Sequence, residues 1–232
     1  REDVARAGGK GANLGELTAA GLPVPPGFVV SADAYAAFCD RGDLRTRIGQ
    51  RLASVDVEDT AQLDRVAAEI RSTIEVEPMP DWLEDAICEG YSDLGKPGSD
   101  VAVAVRSSAT AEDTASASFA GMNETLLNVR GTVSLLDAVR RCWSSLFGAR
   151  TVYYRAQKGF AQAGMDIAVV VQRQVEAIRA GVMFTIDPAS GARDRLVIEA
   201  AFGLGESVVS GAISPDRYVV RKDGLQVEAR EV

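Results

Sequence analysis

The chain has 232 residues, 47% hydrophobic and 25% charged, with 25 Lys and Arg against 33 Asp and Glu for a formal net charge of −8. That length buries a sizeable core as one large domain or two lobes, and the dispersed acidity lacks the basic face of a nucleic-acid-binding protein. Histidine is absent throughout, which excludes Ser-His-Asp and Cys-His catalysis, histidine metal ligation and a phosphohistidine formed within this chain.

In chain order, residues 11–21 read as a short helix closed by Gly21, followed by a Pro-rich turn and a brief strand at Phe28, Val29 and Val30. Ser31 or Asp33 caps a helix through Asp40. Over 59–76, Leu63, Val66, Ala67, Ile70 and Ile74 recur at three- and four-residue steps, the stripe of an amphipathic helix. Pro78 and Pro80 end it, and Asp81 opens another helix with Leu83, Ile87, Tyr91 and Leu94 on its inner face. The apolar run 101–105 predicts a buried strand, closed by Arg106, and 109–118 is a small-residue stretch without periodicity. Strand sequence at 126–129, helix from 134 to about 159 and an apolar strand at 167–175 follow. Short β segments at 180–186, 196–201, 217–221 and 225–229 complete the chain, the last two joined by Lys222-Asp223-Gly224. Helices mixed with short strands predict α/β or α+β.

Cys39, Cys88 and Cys142 are far apart in helical sequence, with no CxxC pair, so they read as small core residues of a reducing compartment. No apolar run is long enough to span a bilayer and the N-terminus carries no signal-like core. The expectation is a soluble, cytoplasmic protein that uses neither membrane nor nucleic acid.

Two segments carry chemistry. Gly8-Gly9-Lys10-Gly11 and Val105-Arg106-Ser107-Ser108, the latter running on to Ser118-Phe119-Ala120-Gly121-Met122-Asn123-Glu124-Thr125, each put one cation among glycines and small residues. Backbone N–H groups and a fixed positive charge at close quarters suit a polyphosphate. Lys10 is not a Walker A lysine, since Gly11 stands where Ser or Thr is required. It is read either as a phosphate ligand or as a solvated lysine beside a glycine turn. Arg106 offers a planar fork for phosphate oxygens, or a structural partner for Glu112 or Asp113. Gly121 and Thr125 supply close backbone approach and a hydroxyl, or turn punctuation. Gln172, polar within an apolar strand, faces solvent or offers its amide to a flat base. Glu199, on a strand before Gly203-Leu204-Gly205, is a metal ligand or a structural acid, with neither preferred.

These segments, with Val24-Pro25-Pro26-Gly27-Phe28, Gly181-Val182-Met183-Phe184-Thr185-Ile186-Asp187-Pro188 and 202–216, resemble the N-terminal ATP-binding domain of the phosphoenolpyruvate synthase and pyruvate phosphate dikinase family, a domain that rifampin phosphotransferase shares. The resemblance covers the chain in order. It implies an ATP-grasp-like fold, with the N-terminal lobe at 1–175, the start of a C-terminal lobe at 176–232, and the nucleotide between lobes. It also implies that Lys10 and Arg106 clamp phosphates, that Gly121 and Thr125 line the phosphate loop, and that Gln172 lies by adenine. ATP and Mg²⁺ are the implied cofactors, with the phosphoryl group passing to a histidine on a separate swivelling domain and a further domain binding pyruvate or phosphoenolpyruvate. Neither of those domains, nor the acidic, glutamine-containing segment that supplies the family's metal ligands, is represented. The chain therefore reads as a fragment that binds ATP weakly and does not complete the dikinase cycle. The metal ligands stay unassigned. An antibiotic-directed phosphotransferase and a non-catalytic nucleotide-binding module are the alternatives.

Overall fold

The structure, a computed structural model, describes residues 3–96, 98–110, 124–159 and 165–231. Two units divide the chain, Arg1–Gln174 and Val175–Val232. The first contains α1 (Val4–Ala19), β1 (Gly27–Val30), α2 (Ala32–Asp40), α3 (Leu44–Ala53), α4 (Thr60–Val76), α5 (Asp81–Ser92), β2 (Val103–Ala109), β3 (Thr125–Val129), α6 (Thr132–Ser144), α7 (Ala149–Gln157) and β4 (Ile167–Arg173).

Side-chain caps start two of these helices, the one at Ser31 among the alternatives the sequence offers and the one at Asp59 not read from it. The Ser31 hydroxyl accepts from the Ala34 amide at 3.3 Å and the Asp59 carboxylate accepts from the Gln62 amide at 3.0 Å. Beyond Asp59, Leu63, Ala67, Ile70 and Ile74 are the buried stripe of α4. Glycine and serine set the breaks. The expected single helix over 134–159 is two, because a 3₁₀ turn at Ser145–Phe147 and the extended Gly148 separate α6 from α7. Helix α3 was not expected: Asp43, at φ 58°, follows Gly42, at φ 70°, and that turn masks its start in the sequence.

The four strands form one antiparallel sheet in the order β1-β4-β2-β3. Val103, Val105, Ile167, Val169 and Val171 point to one face and join Phe38, Ile70, Ile74, Leu135 and Trp143 in the main core. In antiparallel ladders directly paired residues share a face. The pairs Ala104↔Gln172, Arg106↔Val170, Ser108↔Ala168 and Arg106↔Thr125 therefore define the opposite face. There α1 packs: a Cβ on Gly11 would lie 3.2 Å from a Val29 methyl and 3.7 Å from a Val170 methyl. With both faces covered, Ile167–Val171 is buried at every residue, the signature of a central strand.

The second unit is a four-stranded antiparallel meander, β5 (Arg179–Phe184), β6 (Arg195–Phe202), β7 (Asp216–Arg221) and β8 (Val227–Glu231), in sequential order, with the short α8 (Glu206–Val209). Every ladder among the described residues is antiparallel, so the fold is α+β. No described helix is long and apolar enough to cross a membrane. The three cysteines are free, with Cys39 and Cys142 buried and Cys88 half-buried.

Candidate functional site

Strand β2 runs further than expected. The sequence places its end at Arg106, but the ladder with β4 continues through Ser107↔Val169, Ser108↔Ala168 and Ala109↔Ile167. Arg106 is thus a mid-strand residue, half-buried on the face that carries α1. The polar stretch remains strand because both serine hydroxyls, wholly buried, are satisfied. The Ser107 hydroxyl accepts from the Glu124 amide at 2.9 Å, and the Ser107 amide donates to the Glu124 carbonyl at 3.0 Å. The Ser108 hydroxyl donates to the Ala7 carbonyl at 2.9 Å and accepts from the Gly11 amide at 3.3 Å.

Those last two bonds shape the glycine segment. Helix α1 begins at Val4, earlier than the sequence suggests, and breaks at Gly8, whose φ of 67° and ψ of 173° lie where only glycine is comfortable. A Cβ on Gly8 would collide with the Ser108 backbone. The helix restarts after it, so Lys10 lies in the first helical turn of the second segment, not ahead of it. A cation there opposes the helix macrodipole, an arrangement that favours an anion nearby. With Gly8 as the cap position, Gly11 is the third helical residue. Its amide normally receives the cap side chain, which Gly8 lacks and Ser108 supplies from 97 residues away.

Of the residues singled out from sequence, the structure puts Arg106, Thr125 and Gln172 on one face of one sheet, with Arg106 and Thr125 directly opposite each other. The Gly8–Lys10 turn is tied to the same strand two residues beyond Arg106. Gln172 donates its amide nitrogen to the Pro25 carbonyl at 3.0 Å. That fixes which end of the amide faces Pro25, since a carbonyl only accepts. Gly121 and the Glu112 and Asp113 alternatives for Arg106 lie outside the described residues. Glu199 is in the other unit, on β6, cross-strand from Arg217 of β7. Among the described residues no group of three or more Cys, Asp or Glu is placed to hold a metal ion. Ser107 and Ser108 were not singled out, although their place directly after the cation of a strand was a readable signal.

Burial pushes the Cys142 thiol up to about 12 and the Cys39 thiol up to about 11, so neither is a thiolate at neutral pH.

The profile of the family described as pyruvate phosphate dikinase, AMP/ATP-binding domain, matches residues 4–232. A probable phosphoenolpyruvate synthase of Methanothermobacter thermautotrophicus is 52% identical over 226 residues, 96% of this chain and 33% of the relative. One from Methanocaldococcus jannaschii is 50% identical over 233 residues, the whole of this chain and 20% of the relative. The phosphoenolpyruvate synthase of Pseudomonas aeruginosa is 43% identical over 230 residues, 97% of this chain and 29% of the relative. The chain thus spans a third or less of the length of these curated relatives.

Proposed function

The chain belongs to the pyruvate phosphate dikinase AMP/ATP-binding domain family, and on that premise we propose that it binds Mg·ATP for an ATP-dependent phosphotransferase of the phosphoenolpyruvate synthase type. In this reading Lys10 and Arg106 clamp the phosphates, Thr125 and Gly121 line the phosphate-binding segment, and Gln172 lies by the base. The units Arg1–Gln174 and Val175–Val232 correspond to the two lobes of an ATP-grasp-like domain. A phosphoanhydride bond of the nucleotide breaks with the remaining nucleotide as leaving group, and the phosphoryl group passes to a histidine on another domain of the enzyme and from there to pyruvate. The relatives' names favour that acceptor over an antibiotic.

One observation carries the phosphate assignment. Arg106 and Thr125 face each other on the sheet, and the strand that bears Arg106 also holds the turn that bears Lys10. Phosphoryl transfer demands positioning and charge neutralisation more than acid–base groups, and a guanidinium and a hydroxyl share this face while the turn that bears Lys10 is tied to the same strand. Magnesium would accompany the nucleotide and neutralise phosphate charge; among the described residues no group of three or more Cys, Asp or Glu is placed to hold it.

The test is calorimetric titration of Mg·ATP into the chain, with Lys10→Ala and Arg106→Ala alongside. Each substitution is expected to weaken binding by about 1.5–3 kcal/mol, the scale of a charge-assisted hydrogen bond. Unchanged affinity in both variants would refute the clamp.

A further inference from the structure

We propose that Ser108 is a positioning residue that aims Lys10, acting through the helix restart and not by touching the nucleotide. The inference rests on the reading of Lys10 as a phosphate ligand. Ser108 is fully buried, and its hydroxyl spans the break in α1, donating to the last carbonyl before Gly8 and accepting from the third amide after it. Its backbone also fills the space that a side chain on Gly8 would need. The two features together leave the chain one way through the break. The direction in which the segment 9–19 leaves Gly8, and with it the position of Lys10 in its first turn, is dictated by strand β2.

The neighbouring serine is the comparison that separates positioning from general support of the strand. Ser107 is equally buried and equally bonded, but its side chain points to the opposite face and clasps Glu124, whose carboxylate pairs with Arg141 at 3.1 Å. That clasp adjoins Thr125, on the side of the strand away from Ser108's hydroxyl. Arg106, Ser107 and Ser108 thus divide the work. The first contacts the ligand, the second holds the segment leading into Thr125, and the third holds the turn leading into Lys10. Loss of Ser108 leaves the Ala7 carbonyl and the Gly11 amide without their partner while the chemistry of Lys10 is unaltered. In this inference the effect on binding travels through the lysine and not through the amides of the turn.

The experiment is a double-substitution cycle on the 232-residue chain, read by titration with Mg·ATP and with adenosine, and by amide hydrogen exchange over 9–11. Ser108→Ala is expected to weaken Mg·ATP about tenfold, the size of one lost hydrogen-bond bridge. Adenosine binding stays unchanged, and exchange over 9–11 accelerates. In the Lys10→Ala background the same substitution costs nothing further in Mg·ATP affinity, whereas whatever Ser107→Ala costs is undiminished there. Additive losses from Ser108→Ala and Lys10→Ala, or Mg·ATP affinity unmoved by Ser108→Ala, overturn the inference while leaving the phosphate clamp standing. If Lys10→Ala is itself without effect, the reading of Lys10 as a phosphate ligand fails and the inference with it. Should Ser108→Ala not fold, Ser108→Cys keeps the shape with a weaker hydrogen-bonding group, and a smaller loss of the same pattern is expected.

Discussion

Replacing Gly8 with alanine tests the local architecture most severely. At φ 67° and ψ 173° the position lies in a region that L-residues occupy at a cost of about 1–3 kcal/mol. The added Cβ would also stand 2.6 Å from the Ser108 carbonyl carbon and closer to its oxygen, inside the 3.0 Å that real Cβ atoms respect. Since that obstacle is the backbone of a strand paired on both sides, it cannot rotate away as a side chain would. Overpacking of this kind costs about 1–3 kcal/mol more. The sum, about 2–6 kcal/mol, is a large part of the stability of an ordinary domain. Urea unfolding monitored by circular dichroism should show a lower midpoint with an unchanged slope. Gly15→Ala is the control: it lies on the same helix, is exposed, and has no atom within 4 Å of a built Cβ. It should stabilise by about 0.4–1 kcal/mol by restricting the unfolded chain. If Gly8→Ala loses less than about 0.5 kcal/mol, below the strain term alone, the account of the break as enforced by Ser108 is wrong.

Tyr91→Phe should cost about 1–3 kcal/mol in the same assay, because the Tyr91 hydroxyl donates to the Val101 carbonyl at 2.7 Å and accepts from the Gly131 amide at 2.9 Å, and both lose their partner. A cost under a few tenths would mean that water replaces the hydroxyl. Alkylation followed by mass spectrometry at mildly alkaline pH should label half-buried Cys88 first, with Cys39 and Cys142 reacting only after denaturation, since burial holds their thiols at about 11 and about 12. Early labelling of Cys142 would contradict its packing. The Ser190 hydroxyl (2.6 Å) and the Ala189 amide hold the Asp187 carboxyl below its ordinary 3.8. Its folded pKa is depressed, so its contribution is present in full above pH 3.8 and is lost as pH falls through the folded value. Asp187→Asn should flatten the acid limb of the thermal unfolding midpoint; an acid limb identical to that of the unmodified chain would remove the role. Phe38→Ala, which opens a void beside Trp143 where the ring centroids are 4.7 Å apart, should cost about 3–5 kcal/mol and red-shift the tryptophan emission. An unshifted spectrum would count against that packing.

Much of the fold is legible locally. Leu63 to Ile74 announce α4 by their spacing, Ser31 announces a cap, and the valine run around Val169 announces a covered strand. The errors have two causes. Strand β2 reads as ending at Arg106 because serines break the apolar pattern, and the partners that make buried serines acceptable, Glu124, Ala7 and Gly11, are distant in sequence. The single helix expected over 134–159 fails because the extended Gly148 gives no stronger local signal than any helical glycine.

By itself the sequence determined that this chain has the residues for a phosphate site and no histidine chemistry, since both follow from residue type and local spacing. It also carried the family, through motifs spread over the whole chain, and family membership is what the profile match establishes. Only the tertiary structure decided that Arg106, Thr125 and Gln172 share a face, because facing depends on ladder register, which pairs residues far apart along the chain. It alone decided that Lys10 follows an enforced break in α1. A left-handed glycine and its distant cap are a matter of which backbone lies against which, and a sequence with no contact information does not specify that.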